Sequence, residues 1–173
     1  MKCLQLGCGF AKPVRKLIWP GTEDVHVEWT RLDYNEEVKP DVVFDLAGIE
    51  TGSEMPFEPN TFDEIHAYSV LEHFGQQGDF RGFFSTFNEF WRILKPGGFF
   101  VGGTPAHFDT WAWGDPGHTR VINASTLVYL TNVAREEPYC DYHRFLKGQY
   151  WQVMHTEIRE ESNGFYFAIR KVV

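Results

Sequence analysis

Cys3-Leu4-Gln5-Leu6-Gly7-Cys8-Gly9 opens the chain as a short apolar run stopped by a glycine turn, and residues 13–19 then read as a short helix closed by Pro20-Gly21. Strand, glycine turn and helix in that order begin an α/β domain. Working outward, residues 25–32 are β-rich and end on Asp33, and the apolar run at residues 41–44 ends on Asp45. Only residues 34–40 separate these two strands. That is too short for a helical crossover of a dozen or more residues, so the spacing predicts an abbreviated, non-helical connection.

Residues 62–68 form the fourth strand, and residues 69–74 read as a turn and the start of a helix. The clearest element follows. Phe80, Phe83, Phe84, Phe87, Phe90, Trp91 and Leu94 recur at helical spacing, with Asp79 placed as N-cap and Lys95-Pro96-Gly97-Gly98 as the stop. This aromatic stripe reads as a core face against a sheet, not as a cofactor box. Residues 99–103 supply a fifth strand, residues 104–120 a loop rich in Trp, His and Asp, and residues 124–133 a further helix. Residues 150–158 and 165–172, split by a polar turn at residues 162–164, read as an antiparallel hairpin. The whole is an α/β single domain over residues 1–173: a Rossmann-like three-layer sandwich with a mostly parallel seven-stranded sheet and an antiparallel C-terminal hairpin.

Composition bounds the rest. The chain has 173 residues, 43% of them hydrophobic and 17% aromatic, which suffices for a core without staples. Its formal net charge of -8 is local: residues 20–80 carry 15 acids against two bases, whereas residues 81–173 carry nine against ten. Such a balance disfavours a surface that coats nucleic acid phosphates. Three cysteines, Cys3, Cys8 and Cys140, form no CxxC pair, and with no secretory leader in view this suits a reducing cytoplasm. No apolar run approaches the roughly 18 residues of a membrane span.

In an open doubly wound sheet, ligands bind outside the carboxyl ends of the strands. Gly7 and Gly9 there admit close backbone approach, Asp33 is placed to accept from ribose hydroxyls, and Asp45 to face an adenine amine. Together these describe a nucleoside cofactor. NAD is disfavoured because residues 7–12, GCGFAK, lack the final small residue of GxGxxG.

The series LQLGCG (4–9), RLDYN around Asp33, DVVFDL (41–46), MPFEPNTFDEI (55–65), SVLEHF (69–74) and FWRILKPGGFF (90–100) resembles class I S-adenosylmethionine (SAM)-dependent methyltransferases. Within that family it is most similar to the small branch with LGCG, VLEHF and RVLKPGG in the same order, the methyltransferase type 11-like proteins. The resemblance implies SAM as cofactor and a sheet order of 3-2-1-4-5-7-6 with strand seven reversed. It further implies that the backbone of Gly7, Cys8 and Gly9 holds the methionine part, Asp33 the ribose, and Asp45 with Leu46 the adenine, with Tyr68 and Ser69 flanking the pocket and Gln5 and Tyr34 also among the cofactor-binding residues. Two departures stand out: Gln5 replaces the usual acid, and Ala11 a common third glycine.

Methyl transfer from a sulfonium needs the acceptor positioned and desolvated, and a general base is optional. His73 and His118 are the candidates for one, imidazole having a suitable unperturbed pKa. His107, Asp109, Asp115 and His118 match no established metal spacing, so no metal is assigned to them. Trp111 and Trp113 read either as a stacking wall or as loop packing. Neither a (D/N)PP(Y/F) tetrapeptide nor a Pro-Cys nucleophile is present, which disfavours nucleic acid as substrate. The expected acceptor is a small molecule or a saccharide or lipid precursor, with a homodimer or partner chain as one way of closing the site. The competing expectation is a reduced methyltransferase-like module that binds or assembles without turnover.

Overall fold

A computed structural model describes residues 1–18, 22–133 and 141–172. Strands β1 (Lys2–Leu6), β2 (Glu28–Asp33), β3 (Val42–Val43), β4 (Phe62–Tyr68), β5 (Leu94–Pro105), β6 (Trp151–Arg159) and β7 (Gly164–Lys171) form one sheet in the order β3-β2-β1-β4-β5-β7-β6. β1 to β5 are parallel where they pair, and β7 runs antiparallel to both β5 and β6. This is the order and the reversed strand expected from the sequence.

Register gives the two faces different chemistry, because side chains alternate along each strand. Leu4, Ile65, Phe100 and Ile169 stand side by side across β1, β4, β5 and β7. The next row, Gln5, His66, Val101 and Ala168, points the other way. Helix α1 (Phe80–Ile93) lies on the apolar face: Phe90 stacks on Phe100 at 4.9 Å and Phe87 meets it edge-on at 5.7 Å. Asp79 caps α1 by accepting from the Gly82 amide, and Leu46, Ile49, Leu127 and Leu146 complete this core. The aromatic stripe is therefore core.

The opposite face is buried under extended chain, and the expected helix over residues 13–19 is absent at residues 13–18, Trp19 lying outside the described residues. Tertiary bonds override the local pattern here. The Lys16 amide donates to the Tyr68 hydroxyl, while Arg15 reaches down to Glu64 and back to Thr22, so a helical ladder never closes. The helix expected to begin within residues 69–74 is likewise a turn. Ser69 adopts a left-handed conformation (φ 55°), and Gly75 (φ 78°) and Gly78 (φ 92°) delay helix onset to Phe80.

Two further boundaries shift. The expected helix at residues 124–133 stops as α3 (Ala124–Val128), because the Leu130 carbonyl accepts from the Trp151 amide and Thr131 bridges to β6. The loop at residues 104–120 contains a short helix, α2 (Thr110–Gly114), capped by Asp109. Between β2 and β3 the crossover is a single 3-10 turn, Glu36–Val38, capped by Asn35. No helix among the described residues is long and apolar enough to cross a membrane.

Candidate cofactor cleft

Four strands end at a common cleft of about 650 Å3, within the usual range for small-molecule sites. At the end of β1 both Gly7 (φ 55°) and Gly9 (φ 51°) are left-handed. A Cβ on Gly7 would sit 2.6 Å from Cγ2 of Val70, so the loop after β4 can close on this turn only because Gly7 has no side chain. The Cys8 amide donates to the Leu32 carbonyl, tying the turn to β2.

Asp33 ends β2 and is only 6% exposed. Its Oδ2 accepts from the Gly9 amide at 2.9 Å and its Oδ1 from the Asn35 amide at 3.0 Å. The carboxylate thus fixes the glycine turn and keeps spare lone pairs, since each carboxylate oxygen accepts more than one donor. Asp45 ends the third strand region and caps the 3-10 helix Leu46–Thr51 through the Ala47 amide.

Of the residues expected in the site, Gly7, Gly9, Asp33, Tyr34, Asp45, Leu46, Ser69 and His73 line the cleft. Gln5, Cys8, Tyr68 and His118 do not belong to that lining. Gln5 shares the polar sheet face with His66 and Arg31, and its buried Oε1 has no hydrogen-bond partner. Cys8 is buried, and desolvation raises its thiol pKa. Tyr68 accepts from the Lys16 amide and bonds Nδ1 of His66, with burial holding its hydroxyl protonated well above the usual range. His118 lies behind His73, the ring centres 4.7 Å apart.

Sequence reasoning missed Phe44, Val70, Phe74 and Gly117 in the lining. Phe44 and Val70 were legible as the residues flanking the strand ends. Gly117 was not, because it arrives from a loop far along the chain through its carbonyl bond to His73. Glu72, also missed, is 2% exposed, and burial raises its carboxyl pKa. The nearby amide of Glu72 itself, His118 and the nearby amide of Val70 only partly offset this. Near the cleft, the loop at residues 104–120 exposes Phe108, Trp111 and Trp113, with the Trp113 indole anchored on the His107 carbonyl.

A glycine turn after β1, a buried aspartate after β2 and the β3-β2-β1-β4-β5-β7-β6 order define a methyltransferase-type Rossmann-like α/β fold. The family model described as Methyltransferase domain matches residues 4–102, more than half the chain, and the chain belongs to that family. It is 27% identical over 143 residues to Squalene methyltransferase 2 of Botryococcus braunii, which covers 76% of this chain but 34% of that protein. The chain thus spans about a third of that relative's length. A SAM-dependent methyltransferase from Archaeoglobus fulgidus superposes with a TM-score of 0.59 at 14% identity, covering 98% of this chain and 86% of the other. A methyltransferase solved in complex with the Haloferax volcanii Trm112 methyltransferase activator gives 0.59 at 13%, covering 99% and 83%. At such identities these two structures carry the fold alone.

Proposed function

We propose that the chain binds S-adenosylmethionine in the cleft at the ends of β1, β2 and β4 and transfers its methyl group to a small-molecule, saccharide or lipid-precursor acceptor. The observation that carries this reading is the buried Asp33 carboxylate facing the cleft beside the side-chain-free cradle of Gly7 and Gly9. A cofactor with a ribose diol and an amino-acid tail needs both an acceptor and a close backbone approach. The membership of residues 4–102 in a methyltransferase family supports the same reading.

When bound, the cofactor supplies an electrophilic methyl group on a good leaving group. The chain's own work is then to hold and to exclude. Gly7 and Gly9 let the backbone meet the methionine part, Asp33 accepts from the ribose, and Phe44 and Leu46 wall the adenine side near Asp45. Ser69, Val70 and His73 stand where the acceptor must approach, on a loop pinned by the Ser69 amide donating to the Gly103 carbonyl. Placing the acceptor in line and away from water supplies much of the rate.

Calorimetry with SAM and with S-adenosylhomocysteine tests the binding part: saturable binding of both at one site is expected, and heat from neither would sink the proposal. A second reading, that a partner chain completes the molecule, is favoured by the 82% exposure of Phe10 beside the glycine turn, with Val14 and Ile18 also exposed. Sedimentation at increasing concentration would show that assembly.

A further inference from the structure

Glu72 has both carboxylate oxygens buried with no hydrogen-bond partner, in a side chain 2% exposed. Leaving an ionisable group so placed is unfavourable unless something answers it, because a buried charge loses its hydration. One ligand atom each from Glu72, His73 and His118 lies within 4.8 Å of the others. We infer that Glu72, His73 and His118 form a binding site for a divalent first-row transition metal at the edge of the cleft.

Both imidazoles are held in place through one ring nitrogen. Nδ1 of His73 bonds the Gly117 carbonyl at 3.2 Å, and Nδ1 of His118 bonds the Trp111 carbonyl at 2.8 Å. A carbonyl only accepts, so each Nδ1 carries a proton, and in the neutral ring Nε2 is then the nitrogen with a lone pair to offer. Metal-ligating histidines are fixed in this way by a carbonyl or carboxylate on the far nitrogen. The loops that bring the three together are themselves joined, the Thr119 amide donating to the Glu72 carbonyl at 2.8 Å and the Gln77 amide to the Thr119 carbonyl at 2.8 Å. Asp115 Oδ2 stands 3.8 Å from Nε2 of His118, a further oxygen within reach.

Tetrahedral ligands about 2.1 Å from a metal lie about 3.4 Å apart, so closure asks each atom to move by less than about an ångström. Two nitrogens and a carboxylate suit Mn2+, Fe2+, Co2+ or Zn2+ better than the all-oxygen shells of Mg2+ or Ca2+. Among the described residues a second such set, Cys3, Glu64 and His66, does not compete, because the Arg15 guanidinium already balances the Glu64 carboxylate and holds both its oxygens. His73 and Gly117 line the cleft, so an ion held here would stand beside the space that an acceptor must enter. On the methyl-transfer reading, the ion would bind a hydroxyl of the acceptor and acidify it, the proton passing to solvent, so that the oxygen takes the methyl group as S-adenosylhomocysteine leaves.

The test strips the full-length protein with chelator and titrates Mn2+, following loss of the free-ion paramagnetic resonance signal, with Co2+ absorption as a second probe. One ion per chain is expected, undisturbed by equal Mg2+, and weakened about tenfold or more in both His118→Ala and Glu72→Gln. Thermal melts of both variants establish that they fold; Glu72→Gln keeps the shape of the side chain. No bound ion, or variants that bind as the wild type does, would overturn the site. S-adenosylhomocysteine titrated into the same metal-free protein separates the two proposals: cofactor binding without a metal site defeats this inference alone, and a metal site without cofactor binding defeats the methyl-transfer reading alone.

Discussion

Asp33 shows how one residue can hold the cleft together and serve its ligand. Its oxygens already accept from the Gly9 and Asn35 amides, so its position is set before any cofactor arrives, which lowers the ordering cost of binding. Replacing it by Ala removes a charged acceptor worth about 1.5–3 kcal/mol, and S-adenosylhomocysteine should bind about 10- to 150-fold more weakly by calorimetry. Asp33→Asn keeps one acceptor oxygen and should fall between. Equal affinity in Asp33→Ala would remove Asp33 from the ribose role. The residue was legible because an acid at a strand end is a local signal. Gln5 and Tyr68 were placed by motif, yet strand parity sets both beside His66 on the polar face, a consequence the two-residue period already contained. Glu72 with His118 was not legible at all, since no spacing joins residues that meet only through loops.

Among the elements, α1 was the most legible, because its periodicity and its Asp79 cap say the same thing. Phe90 is fully buried between Phe87 and Phe100, so Phe90→Ala should cost about 3–5 kcal/mol in urea unfolding, through lost transfer energy and a cavity. Phe80→Ala, on the half-buried end of the same stripe, should cost clearly less; equal losses would mean the stripe does not bury as a graded face. The segment at residues 13–18 was misread for the opposite reason. Its local pattern favours a helix too weakly to stand alone, and short helices depend on tertiary support. That support goes elsewhere, into the Arg15 pair with Glu64 at 2.7 Å. The expected helix at residues 124–133 is shortened by the same kind of competition, here from β6.

At the scale of the molecule, that Arg15 pair belongs to a buried polar chain that replaces a helix layer over one sheet face. His66 is fully buried, with Nε2 on Glu64 at 2.8 Å and Nδ1 on the Tyr68 hydroxyl at 2.9 Å, and the Cys3 thiol beside Glu64 is pushed up to about 12 by burial. Arg15 already balances the Glu64 carboxylate, so a second positive charge on His66 gains little there. Burial therefore lowers the His66 pKa from 6.5, and a neutral ring satisfies both neighbours. The unfolded chain then takes up this proton first, and stability falls as pH drops below about 6.5, with a limiting slope of ~1.4 kcal/mol per pH unit from this group. The Glu64 carboxyl is lowered from 4.5 by its bonds to His66 and Arg15, which outweigh its desolvation, so its contribution is present above 4.5 and is lost as pH falls through the folded value. Both losses run toward acid. Urea midpoints measured from pH 8 to pH 4 should decline for the wild type, while His66→Gln, less stable at neutral pH, should decline less between pH 6.5 and 5. The remaining histidines are shared by both proteins, so their contributions cancel in the difference. Parallel curves would mean that His66 is already protonated in the fold, and that Glu64 holds two cations at once.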